Sequence, residues 1–235
     1  MLGPDSRAAI TGGLARALAA LGEIDPAALG LDGFGRPAGF LARQVDRWLH
    51  QLDSYRGYPG YGRHRLPHIE ALSGWLRERL PPPQRPGIMH GDLHLGNVLV
   101  DPGGRGVAAL VDWELATVGD PLLDLGELIA TWPGQDGRSA LGRPATPADG
   151  GGWPFGQDLA AAYQAASSRD LAALDWYVVL AGFRLAVLLE GSRARALTGQ
   201  GSPEVADELH QAAVTLLRDA ARRAGPRRAR QRWVP

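Results

Sequence analysis

Apolar residues recur at helical spacing over most of this chain. From Ser6 to Leu21 they fall at Ile10, Leu14, Ala17, Leu18 and Leu21, predicting a first helix that Gly12 and Gly13 weaken and Gly22 ends. Gly30 to Pro37 reads as loop. Phe40, Leu41, Val45, Trp48, Leu49 and Leu52 line one face of a second helix, with Arg43, Asp46 and Arg47 opposite. A third follows Pro67, carries Ile69, Leu72, Trp75, Leu76 and Leu80, and stops at Pro81-Pro82-Pro83.

Beyond the prolines the pattern shifts to short apolar runs. Asn97 to Val100 and Val107 to Val111 flank Asp101-Pro102-Gly103-Gly104-Arg105-Gly106, a hairpin signal. Leu122 to Thr131 reads as a helix beginning near Pro121. Pro133 to Gly156, rich in Gly and Pro, is too long for a simple connector and is expected to be a flexible insertion or a loop covering a site. Three more helices are predicted at Asp158 to Ala166, Leu171 to Leu197 and Glu204 to Ala224, the middle one apolar enough to be buried. From Arg218 to Arg232 the chain carries seven arginines, and residues 225–235 are expected to form a basic, flexible tail. The expected class is therefore α+β, mostly helical, with one short β-hairpin.

Charge and composition narrow the chemistry. The 235 residues hold 25 basic and 25 acidic side chains, which argues against a surface built wholly for nucleic acid or an anionic membrane. Cysteine is absent, excluding disulfides, thiol catalysis and zinc–thiolate sites. Every basic residue is arginine, so a mechanism that requires a lysine cannot be run by these residues alone. Asp5 and Arg7 interrupt the start of the chain and no apolar run approaches ~18 residues, so the expected location is cytoplasmic, with no membrane or nucleic-acid partner.

One segment stands out. His90-Gly91-Asp92-Leu93-His94-Leu95-Gly96-Asn97 has the form HxDxxxxN, an Asp opening a loop and an Asn closing it as the chain enters a strand. The same layout serves the catalytic loop of kinases. The following strand ends in Val111-Asp112-Trp113-Glu114, and a turn near Gly104 would set Asn97 across from Asp112. An amide oxygen and a carboxylate would then converge in the all-oxygen environment that Mg²⁺ prefers, with Asp92 one loop away to accept a proton from a hydroxyl. Taken singly, Asp92, Asn97 and Asp112 read as turn and strand-end residues; together, at this spacing, they read as a site. His90 is expected to hydrogen-bond within the loop and His94 to be incidental or substrate-facing. His90, Asp92 and His94 also leave open a metal-dependent hydrolase.

These motifs resemble the aminoglycoside phosphotransferase and choline kinase superfamily, in the branch similar to the kinase-like domain fused to some acyl-CoA dehydrogenases. The resemblance rests on Gly33-Phe34-Gly35-Arg36-Pro37, Gln44-Val45-Asp46-Arg47-Trp48, the His90–Asn97 loop, Val111-Asp112-Trp113-Glu114-Leu115-Ala116-Thr117-Val118-Gly119-Asp120-Pro121 and Phe183-Arg184-Leu185. It implies an ATP-dependent small-molecule phosphotransferase with Asp92 as catalytic base, Asn97 and Asp112 as Mg²⁺ ligands, and Asp124 and His90 supporting the loop. Trp113-Glu114, where protein kinases have Phe-Gly, points to a small hydroxyl acceptor. The resemblance also implies a C-terminal lobe of a protein-kinase-like fold spanning residues 1–235. The N-terminal nucleotide lobe is expected to be absent, encoded upstream or supplied by another chain, and Mg·ATP binding weak. A non-catalytic ligand-binding or regulatory remnant of such a kinase is the second reading.

Overall fold

The computed structural model describes residues 2–61, 66–134, 136–140, 152–200 and 202–225. Seven α-helices surround two small β-ribbons. The helices are α1 (Pro4–Glu23), α2 (Phe40–Ser54), α3 (Ile69–Glu78), α4 (Leu122–Ala130), α5 (Gly156–Gln164), α6 (Leu174–Ala196) and α7 (Pro203–Ala224). The strands are β1 (Gly87–Met89), β2 (Val98–Val100), β3 (Val107–Leu110) and β4 (Thr117–Gly119).

Helix α6 forms the axis. It is apolar almost all the way round, so it has no face to give to water, and it packs between α4 and α7 with contacts to α2 and α3. Gly126 lets α4 approach it closely, since a Cβ there would lie 2.7 Å from the Tyr177 carbonyl oxygen. Around this axis Leu14, Leu122, Leu125, Tyr177, Phe183 and Leu217 are buried in one continuous core. Trp176 ties α3 to α6, its indole donating to the Leu76 carbonyl at 2.9 Å.

Helix α1 runs straight through Gly12 and Gly13, against the expectation that they weaken it. Gly13 sits where a Cβ would meet the Val107 amide nitrogen at 3.3 Å, so the glycine is a contact with β3 and tertiary packing outweighs propensity. At the far end, Gly22, Gly87 and Pro121 crowd together: a Cβ on Gly87 would stand 2.5 Å from the Gly22 oxygen. Arg169 closes this junction by donating to the Gly22 carbonyl at 2.5 Å and the Arg85 carbonyl at 2.7 Å. A guanidinium thus satisfies a helix-end carbonyl that has no partner within its own helix.

The β-structure departs from the single expected hairpin. The β2–β3 hairpin is present, but a second antiparallel ribbon joins β1 to β4, pairing Gly87 with Gly119, Ile88 with Val118 and Met89 with Thr117. Two three-residue strands nearly thirty residues apart leave no local alternation to read. The hairpin register also differs from expectation. Its turn closes with the Asp101 amide donating to the Gly106 carbonyl at 3.0 Å, and an irregularity follows Leu99, so Val98 faces Leu110. Asn97 consequently lies beside Val111, whose amide it receives at 3.0 Å, and Asp112 comes one residue later.

Helix α7 continues to Ala224, where the sequence pattern ends it, with Arg223 paired to Asp175. Residues 226–235 of the expected tail lie outside the described residues, as do residues 135 and 141–151 of the expected insertion. The end of that insertion is fixed: Trp153 is buried edge-to-face against Trp132, whose indole donates to the Pro154 carbonyl at 2.7 Å. Among the described residues, no helix is long and apolar enough to cross a membrane.

Candidate active site

The loop His90–Asn97 leaves β1 and enters β2, so one ribbon delivers its first residue and the other its last. Asp124, fully buried in the first turn of α4, holds its entrance. One carboxylate oxygen accepts the His90 amide at 2.6 Å and the other the Gly91 amide at 3.0 Å. Burial pushes this carboxyl above its ordinary range, while the two amides pull it back.

Gly91 is required where it stands. Its φ is +83°, and a Cβ would lie 2.1 Å from the Leu115 carbonyl oxygen, so the loop and the segment after Asp112 touch backbone to backbone. The His90 ring spans the same gap, its Nε2 donating to the Val111 carbonyl at 2.9 Å while Nδ1 accepts the Asp92 amide at 3.3 Å. A carbonyl can only accept, so these partners select the neutral Nε2–H tautomer. Trp113 packs on that ring with centroids 4.7 Å apart and donates its indole N–H to the Leu110 carbonyl at 2.9 Å.

Asp92 projects half-exposed from the loop, and its main-chain carbonyl accepts the Asn97 side-chain amide at 2.9 Å. That bond commits the Asn97 nitrogen and leaves its oxygen as the uncommitted end of a buried side chain. Asp112 has φ +67°, a left-handed conformation that costs a non-glycine residue. Its side chain is exposed, and no hydrogen bond or ion pair engages its carboxylate among the described residues. Strain combined with an uncommitted charge marks a functional position better than a structural one.

His94 turns its Nδ1 to the Gly96 amide at 3.1 Å and stands with Nε2 3.9 Å from Asp92 Oδ2. With one His90 nitrogen bonded to the Val111 carbonyl and the other to the Asp92 amide, neither is free to ligate. Among the described residues no three His, Asp or Glu side chains gather to hold a metal ion. The histidine cluster of the hydrolase reading is not assembled.

Several supporting residues have no role assigned from the sequence, although Asp120 and Arg184 lie in the motifs that carry the family resemblance. Asp120 accepts the Tyr177 hydroxyl at 2.8 Å and the Leu122 amide at 3.1 Å; burial raises its carboxyl, and desolvation with the adjacent carboxylate raises the Tyr177 hydroxyl. One turn beyond Asp124 on α4, buried Glu127 pairs with Arg184 of α6 at 2.5 Å, and the same guanidinium donates to the Gly91 carbonyl. Burial carries the Glu127 carboxyl up to about 7, against the pull of Arg184. Tyr177 and Arg184 lie two helical turns apart on one face of α6, a relation visible only once α4 is laid against it. The Gly33–Pro37 loop reaches the same region from the other side, where Phe34 accepts the Val118 amide at 3.0 Å and Gly35 bridges to β4.

Comparison with known proteins places the chain among its relatives. The chain is 32% identical over 206 residues to acyl-CoA dehydrogenase family member 11 of Rattus norvegicus, covering 86% of this chain and 25% of that protein. It is 30% identical over 209 residues to the Homo sapiens protein of the same name, covering 86% of this chain and 26% of that one. The chain thus spans about a quarter of the length of these relatives. Among solved structures, the "putative aminoglycoside phosphotransferase" of Ralstonia eutropha superposes with a TM-score of 0.77 at 28% identity, covering 94% of this chain and 66% of that one. A macrolide 2'-phosphotransferase type I shares the fold, with a TM-score of 0.59 at 20% identity, covering 90% of this chain and 60% of that one. The family model described as phosphotransferase enzyme family matches residues 1–177, and the chain belongs to that family.

Proposed function

We propose that this chain carries the acceptor and metal side of an ATP-dependent small-molecule phosphotransferase. The observation that carries the reading is Asp112, a strained aspartate with an uncommitted carboxylate, set by the β2–β3 hairpin one residue past the partner of Asn97. Family membership and the solved phosphotransferases of similar fold support it.

The donor chemistry fits Mg²⁺. Asn97 offers a neutral amide oxygen and Asp112 a carboxylate, hard oxygen ligands of the kind that ion takes alongside water and phosphate. Bound there, Mg²⁺ would neutralise charge on the nucleotide phosphates. Asp92 is the base: it orients the acceptor hydroxyl toward the γ-phosphorus and receives its proton as the acceptor oxygen bonds to phosphorus and the γ-phosphorus–oxygen bond to ADP breaks, ADP leaving. The loop backbone holds Asp92 in place through Asp124, His90 and Asn97. With no lysine among the 235 residues, the cationic contribution of this chain to the phosphates comes from arginine alone, and its own affinity for Mg·ATP is weak. The site's location is cytoplasmic in this reading, and the acceptor is a small hydroxyl compound.

The test is transfer of labelled γ-phosphate from Mg·ATP to a panel of hydroxyl acceptors: aminoglycosides, macrolides, choline, homoserine and hydroxyacyl thioesters. Asp92→Asn is expected to lower kcat by about 10²-fold or more with the acceptor KM changed only a few-fold. Unchanged turnover would remove Asp92 from the mechanism.

A further inference from the structure

We infer that Arg184 is a positioning residue of the phosphotransfer site, holding the Gly91–Asp92 peptide in the orientation that aims the Asp92 carboxylate. The inference rests on the phosphotransferase reading for its functional meaning and on geometry for its substance. Asp92 sits on a loop whose polar backbone groups are taken up one after another. Asp124 accepts the His90 and Gly91 amides, Arg184 donates to the Gly91 carbonyl, the His90 ring accepts the Asp92 amide, and Asn97 donates to the Asp92 carbonyl. The oxygen and the N–H of the single peptide linking Gly91 to Asp92 are therefore held from opposite sides, by Arg184 and His90. A peptide held at both ends cannot rotate, and its rotation is the motion that would swing Asp92.

The donor is also fixed. Arg184 is buried, its other terminal nitrogen pairs with buried Glu127, and its guanidinium carbon lies 5.6 Å from the centre of the Trp48 ring on α2. Bridging a carboxylate and a carbonyl with one rigid plane suits arginine and not the single-point ammonium of lysine. Misplacing a reacting group by about 1 Å can cost on the order of 10²-fold in rate, so a grip one residue from the base has leverage on turnover.

A purely structural role, in which Arg184 only neutralises Glu127, makes a different prediction. Arg184→Met alone leaves a buried carboxylate without its cation and risks unfolding. The informative variant is Glu127→Gln combined with Arg184→Met, which removes both charges but still leaves the Gly91 carbonyl without its donor. Two readouts are taken on the full chain: hydrogen exchange at the Gly91 and Asp92 amides, and γ-phosphate transfer from Mg·ATP. The double variant is expected to unfold cooperatively, exchange the Asp92 amide at least about tenfold faster and lose at least about tenfold in kcat, with the KM for Mg·ATP within about threefold. Glu127→Gln alone keeps the bond to Gly91 and should lie nearer wild type in both. Wild-type exchange and wild-type kcat in the double variant would overturn the inference. Should the double variant not fold, Arg184→Lys serves: it keeps a cation beside Glu127, and wild-type exchange and turnover there overturn the inference equally. If the unmodified chain, whose own affinity for Mg·ATP is weak, transfers no phosphate to any acceptor, amide exchange alone decides whether Arg184 holds the peptide.

Discussion

The carboxylate of Asp124 and the amide of His90 meet at 2.6 Å across 34 residues of chain, and the second oxygen of the same carboxylate takes the next amide along. One buried side chain thereby does for two loop amides what a neighbouring strand would do in a sheet. Asp124→Ala leaves both amides buried without an acceptor, at about 1–3 kcal/mol each, so a loss of about 2–6 kcal/mol is expected in urea unfolding. Asp124→Asn, which keeps one acceptor oxygen, should lose less. Equal losses would show that the cavity rather than the orphaned amides sets the cost.

Asp112 invites the opposite experiment. Its left-handed backbone conformation costs an aspartate and suits a glycine, so Asp112→Gly is expected to be no less stable than wild type, and up to about 1 kcal/mol more stable. The same change removes the carboxylate proposed to bind metal. Thermal unfolding and Mn²⁺ titration followed by electron paramagnetic resonance would check the two halves together. A clear drop in the unfolding midpoint would mean that the Asp112 side chain is structural after all.

Glu127 gives stability a predictable pH dependence. Burial raises its folded pKa from 4.5 to about 7, with Arg184, Asp124 and Asp92 as the charges that face it. Below about pH 4.5 the folded and unfolded chains both carry the proton, and the folded state bears no penalty from this group. As pH rises the unfolded chain releases the proton first, so this contribution to stability is lost through about pH 7. Glu127→Gln is expected to show a flatter profile than wild type between pH 4.5 and 7, measured by chemical unfolding at successive pH values. A difference that grows toward low pH instead would reverse the assignment.

Much of the scaffold is legible in local pattern. The faces of α2 and α3 follow from residues such as Val45, Trp48, Leu72 and Leu76, and the unbroken apolarity of α6 already says that it is enclosed. The hairpin announces itself through Asp101 to Gly106. What local pattern cannot carry is pairing between distant short segments: β1 and β4 have three residues each, two of their six are glycines, and the close approaches at them, Gly87 to Gly22 and Gly119 to Met89, are tertiary. The candidate site divides similarly. Asp92, Asn97 and Asp112 are spaced by the loop and hairpin that carry them, so spacing singles them out as candidates. Glu127, Arg184 and the Asp120–Tyr177 bond are buried polar contacts between helices, and in sequence a Glu or Arg on a helix looks like a solvated surface residue. The positive φ of Asp112 had no signature either, since aspartate is tolerated at turns for several reasons.

The grip on the Gly91 carbonyl sets an order of assembly as well as a geometry. Arg184 lies 93 residues beyond the carbonyl it holds, and Arg169 lies 147 residues beyond the end of α1 that it closes. During synthesis, Asp92, Asn97 and Asp112 all leave the ribosome well before either arginine does. Domains ordinarily fold as units, and contacts of such long sequence separation form late. A nascent chain paused before residue 169 would present the motif residues on an unclosed α1 junction and an untethered loop, a state poorly suited to ordered metal or nucleotide binding. On the proposed reading the site is therefore withheld until Arg184 has been made, and truncation anywhere before Arg184 is expected to disable the candidate site encoded by residues 92–112 upstream.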